Sequence, residues 1–461
     1  MAASRKWPST DPAQGLYDRL KARVEAQGLR DTRVVIGYSG GLDSTVLLHL
    51  FSRLRAEIPF DLRAFHVHHG LSPHADDWLR HCASISAQWQ IPFIHQHVTL
   101  DAAAAESLEA RARARRYAAY ASLDCRWLVL GHHMDDQAET LLYRLARGAG
   151  VHGAAAIPPR RNLGPETAVW RPLLQESRHT LLSYASHHQL VWVDDDSNAS
   201  LTFDRNWIRH GVLAPLSKRF PHAAASMARA AGHFADAADL LDELAALDAG
   251  EAAGGTPALR LPLARMVALS LPRRHNLLRW FLARQGVRPD AAQIVALSQL
   301  LLAAPDDAQP CLRLADRCVR RFRDQVWVSG LPAAPVATLV VPGVDVELPA
   351  WRGRLHWRRG EIDRSDGRVD ATAIWMAKPR QGGERLRMRP GGPSRLIKHL
   401  YQEADVPPWL RDAWPLIWRG EQLVAAAGFP TSDPDALSGW LPIWLPDDWP
   451  DCPLGGDHSE G

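Results

Sequence analysis

The sequence predicts an α/β fold: a doubly wound, mostly parallel sheet in the first half, then a mainly helical middle domain and a small mixed α/β or β-rich third domain. Three observations predict it. From about residue 30 to 195 short β-type runs alternate with helix-length segments. A glycine-rich loop follows the first run and opens a helix. After about residue 220 the texture turns to alanine-rich helix, then to short strand-like pieces with many tryptophans and turn residues.

The first run, RVVIGYS (33–39), precedes a segment in which Val46, Leu47, Leu50, Phe51 and Leu54 recur at the helical period, a stripe that packs a helix on a sheet. LRAFHVHH (62–69), IPFIHQHV (91–98), RWLVLGHH (126–133) and LVWVDD (190–195) read as the further strands. Strands alternating with helices imply parallel pairing through right-handed crossovers, and such sheets bind ligands beyond the carboxyl ends of their strands. Motifs that follow strands therefore take priority. The stretch AAASMARAAGHFADAADLLDELAALDAG (223–250), broken by GEAAGG, opens the helical part, and LPAAPVATLVVPGVDVELPA (331–350) leads into the third. The expected boundaries are 1–220, 221–335 and 336–449, with 450–461 as a frayed tail.

A chain of 461 residues leaves room for two or three domains. With 46% apolar and 23% charged residues it is a soluble globular protein rather than a disordered one. The formal net charge of +3 makes no case for nucleic acid by itself, so local patches must. Cys82, Cys125, Cys311, Cys318 and Cys452 are dispersed and form no Cys-x-x-Cys pair, which fits a reducing cytoplasm. The opening lacks the apolar core of a secretory signal and no stretch is long enough for a membrane span, so a cytoplasmic protein without membrane contact is expected.

Ser39-Gly40-Gly41-Leu42-Asp43-Ser44 follows the first strand and enters the helix. Its glycines let the backbone turn and approach a ligand, and the helix N-terminus offers N–H groups to an anion, so all six residues are candidate ATP-phosphate contacts. No lysine stands where a Walker-type loop needs one, which implies a different ATP chemistry. Asp43 makes sense there as a ligand of Mg²⁺ bridging the phosphates. The plainer alternative is a glycine turn with Asp43 and Ser44 as helix caps.

His132-His133-Met134-Asp135-Asp136-Gln137-Ala138-Glu139-Thr140 follows another strand. Asp135 and Glu139 stand four apart and Asp136 and Glu139 three apart, which puts carboxylates on neighbouring helix faces and suits a cation. Two alternatives stay open: acidic enrichment in a first helical turn, and metal ligation by His132, His133, Asp135 and Asp136. Adjacent histidines in a strand face opposite ways, which disfavours one shared ion.

SGGLDS after a strand resembles the pyrophosphate loop of the N-type ATP pyrophosphatases, the PP-loop superfamily. HHMDDQAET resembles the hallmark of the bacterial tRNA(Ile)-lysidine synthetases, as do HVHHGL (66–71), EARARARRY (109–117), RGAGVHGAAAIPP (147–159), RPLL (171–174) and DDDSNASLTFDRNWIRH (194–210), all in the family's order. The resemblance covers roughly residues 30 to 215. Ala154 to Ala156 and Asp194-Asp195-Asp196 depart from the usual residues, outside the loop and the hallmark core.

The resemblance implies that ATP adenylates the C2 carbonyl of the wobble cytidine in the isoleucine tRNA with a CAU anticodon, and that L-lysine then displaces AMP to form lysidine, changing codon reading from AUG to AUA. Lysine arrives as an ammonium, so a base must take its proton. Asp136 and Glu139 are expected to hold the ammonium, one of them serving as base. Arg205 is expected to assist catalysis. Arg205 and Arg113 are candidates for the lysine carboxylate or a phosphate, with a plain surface role as the alternative. Asp135, Arg116 and His133 complete the lysine and tRNA candidates. His66, His68 and His69 carry a structural role as readily as a functional one.

In the third part Lys378, Arg380, Arg385, Arg387, Arg389, Arg395 and Lys398 cluster with Glu384 as the only acid among them. Such a patch supplies backbone affinity for RNA, and its RPG and VPPWLR pieces resemble the family's C-terminal domain. Arg389, Arg395 and Lys398 are taken as tRNA contacts. Trp409, Trp414 and Trp418 suit a small core better than base stacking. The rival reading is another PP-loop tRNA enzyme such as a thiolase, against which the missing Cys-x-x-Cys weighs; a homodimer stays open.

Overall fold

The computed structural model describes residues 12–70, 72–99, 108–194, 204–251, 259–305, 308–359, 374–431, 437, 439–449 and 451–454. The chain forms two compact units, Met1–Leu240 and Leu241–Gly461.

The first unit runs α1 (Pro12–Gln27), β1 (Arg33–Gly37), α2 (Leu42–Leu54), β2 (Asp61–His68), α3 (Ala75–Gln88), β3 (Phe93–His97), α4 (Leu108–Ala121) and β4 (Trp127–Val129). It continues through α5 (Met134–Ala146), α6 (Val151–Ala154), β5 (Arg160–Asn162), β6 (Ala168–Trp170), α7 (Arg178–His187), α8 (Asp204–Trp207), a π-helix (Ile208–Leu213), α9 (Ala214–Arg219) and into α10 (Ala223–Ala249). The sheet order is β3-β2-β1-β4-β6-β5, parallel except for the antiparallel β5–β6 edge pair. Chain order reverses between β1 and β4, which pair through Val34–Trp127 to Ile36–Val129. The crevice beyond that pair is where a doubly wound sheet binds its ligand, and both motifs of interest leave from it.

The predicted stripe of α2 is real. Val46, Leu47, Leu50, Phe51 and Leu54 are all fully buried against β1 residues Val34 and Ile36 and α1 residues Leu16 and Leu20. That packing anchors the helix whose N-terminus carries the glycine loop.

One expected strand is absent. Leu190–Asp194, the described part of LVWVDD, has no regular structure; the place beside β4 belongs to β6, a strand of three residues that the sequence reading missed. Leu190 and Trp192 serve packing instead, lying against the core, while Val191 is exposed. Val193 donates its N–H to the Gly40 carbonyl at 2.9 Å, a tether for the loop rather than a ladder. Asp195 and Asp196 lie outside the described residues.

The second unit takes the rest of α10, then β7 (Arg260–Pro262), α11 (Leu263–Val267), α12 (Leu271–Arg284), α13 (Ala291–Ala303), β8 (Cys311–Leu314), β9 (Arg317–Phe322) and β10 (Gln325–Gly330). The region expected to be mainly helical thus also holds a four-stranded antiparallel sheet, β7-β10-β9-β8, which with α12 and α13 encloses one core. Beyond it lie β11 (Thr338–Leu339), β12 (Val346–Leu348), β13 (Gly353–Arg359), β14 (Trp375–Lys378), β15 (Arg385–Arg387), β16 (Ser394–Leu396), α14 (Ile397–Glu403), α15 (Pro408–Arg411), β17 (Leu416–Arg419), β18 (Gln422–Ala426) and β19 (Trp440–Pro446). Their core is rich in tryptophan. Trp414 is fully buried and donates its indole N–H to the Ala427 carbonyl, while Trp409 and Trp418 pack on the same core. The expected frayed tail is corrected in part: Cys452 is buried in this core and Leu454 packs on it, because apolar side chains there find a ready surface.

Candidate active site

Beyond β1 the chain turns through Tyr38 to Gly41 and enters α2. Gly40 has φ +88°, a conformation that L-residues rarely adopt, and a Cβ there would lie 2.9 Å from the buried Cys82 thiol. Gly40 is therefore required by both backbone and space. Gly41 is the N-cap residue of α2 and no side chain caps the helix, so the capping alternative for Asp43 and Ser44 does not hold. Ser44 instead donates its hydroxyl to the Gly41 carbonyl at 3.0 Å and accepts the Ser39 N–H at 3.2 Å. Thr45 donates to the Gly40 carbonyl at 3.2 Å. The loop is thus laced to its own helix, with uncapped first-turn amides able to receive an anion. Leu42 is buried beneath it.

The end of β4 brings the second motif to the same place. Gly131 sits so close to α2 that a Cβ would meet the Asp43 backbone at 3.1 Å. His132 and His133 occupy the connection after β4 rather than the strand, so the opposite-faces argument does not apply to them. His132 is held neutral by burial, its imidazole pushed down to about 3. His133 is 1% exposed and lies 3.5 Å from Asp43, 3.6 Å from Asp135 and 3.7 Å from Asp136. Burial would push its imidazole down, but Asp135, Asp136 and Asp43 together hold it up at about 10. An imidazolium therefore stands between the loop and the acidic helix.

Asp136 and Glu139, one turn apart on α5, are 8% and 1% exposed. Buried carboxylates need partners. Asp136 Oδ2 accepts the His133 N–H at 2.9 Å, and Asp136 Oδ1 accepts from Arg205 at 2.8 Å. Burial would raise the Asp136 carboxyl, yet the charges of His133 and Arg205 hold it down at about 2. Arg205 also donates to Glu139 Oε2 at 3.0 Å, and Arg209 donates to both Glu139 oxygens at 2.6 and 3.1 Å. The sequence reading passed over Arg209, although its four-residue spacing from Arg205 was the available signal. Asp135, by contrast, turns away from Glu139 and accepts the Arg178 N–H at the start of α7, 2.9 Å away.

The remaining candidates divide. Arg205 reaches the protein's own carboxylates. Arg113, on α4, lies over the Tyr117 ring at 5.3 Å with Arg161 over the same ring at 4.6 Å, and Arg171 donates to the Tyr117 hydroxyl at 3.1 Å. Burial would raise the Tyr117 phenol, but the surrounding guanidinium charges leave it below its ordinary value. Arg116 is half-buried on the same helix. His66 donates to the Tyr38 carbonyl at 2.9 Å and His68 pairs with Asp76 at 3.1 Å, both structural bonds. Asp43 Oδ1 is buried without a hydrogen-bond partner. Among the described residues no group of three or more His, Cys, Asp and Glu side chains converges as a metal site. In the second unit Arg389 and Lys398 are exposed, and Arg395 pairs with Glu403.

Comparison with known proteins shows the family. A PP-loop domain matches residues 14–216, a TilS substrate binding domain residues 261–327 and a TilS substrate C-terminal domain residues 376–438. The tRNA(Ile)-lysidine synthase of Chromobacterium violaceum is 39% identical over 421 residues, which cover 89% of this chain and 95% of the relative. That of Ralstonia nicotianae is 39% identical over 434 residues, covering 90% and 92%. That of Salmonella paratyphi B is 40% identical over 408 residues, covering 87% and 93%. An uncapped PP-loop helix, an acidic helix joined to it by one imidazolium, and matches along nearly the whole length lead to one assignment: the chain belongs to the tRNA(Ile)-lysidine synthase family.

Proposed function

We propose that the protein ligates L-lysine to C2 of the wobble cytidine of the CAU-anticodon isoleucine tRNA in the cytoplasm, by way of a tRNA adenylate. The observation that carries the reading is the single His133 imidazolium spanning Asp43 of the phosphate loop and Asp136 of the acidic helix. It supports a reading in which the phosphate loop and the acidic helix serve one reaction centre.

In the first step the cytidine C2 carbonyl oxygen attacks the α-phosphorus of ATP and pyrophosphate leaves. Ser39 to Ser44 cradle the departing phosphates with backbone amides and the positive end of α2. The unpartnered buried oxygen of Asp43 suits a hard cation: Asp43 would hold Mg²⁺, which would supply charge neutralisation there. In the second step the lysine side-chain amine attacks C2 and AMP leaves. Asp136 and Glu139 attract the ammonium; one carboxylate accepts its proton once the adenylate is in place. Arg113, with Arg161 beside it, suits the lysine carboxylate or an RNA phosphate. Arg389, Arg395 and Lys398 engage the tRNA backbone from a C-terminal domain, with the mixed helix-and-sheet domain before it aiding tRNA positioning.

The test is to supply ATP labelled in its α-phosphate with CAU-anticodon tRNA and no lysine. Label on the RNA is expected, and adding lysine should release it as AMP. Label on lysine, or orthophosphate as by-product, would overturn the scheme.

A further inference from the structure

The hydrogen bonds around the two buried acids are unequal, and the inequality divides their roles. An ionised carboxylate offers about four acceptor positions. Glu139 uses three of them, one from Arg205 and two from Arg209, whereas Asp136 uses two, one from Arg205 and one from the His133 N–H. Glu139 is also the more deeply buried. Glu139 is thus nearly saturated by fixed cations, and Asp136 retains the larger share of free lone pairs.

Arg209 creates this asymmetry. Arg205 spans the two acids with one nitrogen on each. It can remain split in this way only while Glu139 has a second cation; otherwise the buried Glu139 would draw the whole fork to itself, since a bidentate pair satisfies a desolvated carboxylate better than a single bond. Arg209 stands just inside the π-helix Ile208–Leu213, which follows directly on the α8 turn that carries Arg205. Single π-turns within helical stretches recur at functional sites.

We propose that Arg209 is a positioning residue for lysine transfer: by engaging both oxygens of Glu139 it makes Glu139 the anchor of the arginine pair and leaves Asp136 as the base that takes the proton from lysine. This rests on the two-step reading above and assigns the roles within it. Arg209 acts through Glu139 and Arg205, and its own ion pair with Asp136 is longer, at 3.8 Å. The proton leaves the ammonium for Asp136 as the C2–N bond forms and the bond from C2 to the adenylate oxygen breaks.

The experiment uses the full chain and separates the steps. tRNA adenylate is formed from α-labelled ATP without lysine, then chased with lysine, and AMP release is timed in a single turnover. Arg209→Gln should slow AMP release by roughly tenfold or more, the usual scale when a catalytic group is misplaced, and do so more than it slows adenylate formation. Arg209→Lys, which keeps one charge but not the fork, should recover part of the loss. Glu139→Gln should behave like Arg209→Gln, and Asp136→Asn should be the more damaging of the two acid changes in the chase. The inference is overturned if Arg209→Gln chases at the wild-type rate, if it slows both steps by the same factor, if Arg209→Lys recovers nothing, or if Glu139→Gln exceeds Asp136→Asn. Failure of the two-step reading looks different: the wild-type enzyme then places no label on RNA before lysine is added.

Discussion

Substituting Gly40 by alanine tests the loop geometry directly, because two separable costs meet at that residue. The first is conformational: φ of +88° demands a left-handed backbone, and an L-residue held there costs about 1–2 kcal/mol. The second is steric: the new Cβ lies 2.9 Å from the Cys82 Sγ, which is fully buried and cannot swing into solvent, and overpacking of this kind costs about 1–3 kcal/mol. Gly40→Ala should therefore lose about 2–5 kcal/mol, within the margin of a stable domain. Gly41→Ala is the control. Its φ is −74° and its Cβ would meet nothing nearer than 3.6 Å, so its loss should stay below about 1 kcal/mol. The assay is urea unfolding of both variants and of Gly40→Ala combined with Cys82→Ala. Trimming Cys82 should return the steric part and leave the conformational part, giving a favourable coupling of about 1–3 kcal/mol in a double-mutant cycle. Equal stability of the two glycine variants, or zero coupling with Cys82→Ala, would refute the reasoning.

Acid should destabilise the first unit through Asp136. Its carboxyl titrates at about 2 when folded and near 3.9 when unfolded, so its contribution of about 2–3 kcal/mol is complete above the unfolded value and lost as pH falls through the folded one. Asp136→Asn should flatten the stability curve between about pH 4 and 2, and parallel curves for the two proteins would contradict the pairing. On the RNA side, Arg389→Gln with Lys398→Gln should weaken tRNA binding and make its salt dependence shallower by up to about two units of log–log slope. An unchanged slope would remove both residues from the phosphate contacts.

The first half of the fold was legible because its pattern is written in burial. The α2 stripe and strands β1 and β2 carry the clearest apolar signals, and the glycine loop stands where chain order reverses. The misses have a physical cause in common. β6 is three residues long, too short to carry a period, while LVWVDD has strand-like letters but spends them on packing and on one bond to Gly40. β7 to β10 were overlooked because their charged residues, such as Arg317, Arg320 and Arg321, mask the alternation. At the site, residue type and spacing pointed to Asp136 and Glu139 and the family resemblance to Arg205, yet not to how they pair. The reach of Arg209 to Glu139 is a fact of three dimensions, as is the turn that sends Asp135 to α7 instead.

The lone imidazolium between Asp43 and Asp136 ties the fates of two chemistries together. One proton on His133 counts toward the electrostatic balance of the glycine loop and of the acidic helix alike. Under the proposed scheme, an engineer who rebuilt the acids of α5 for a different amine would also change the field at the phosphate loop, so the two ends would have to be redesigned together.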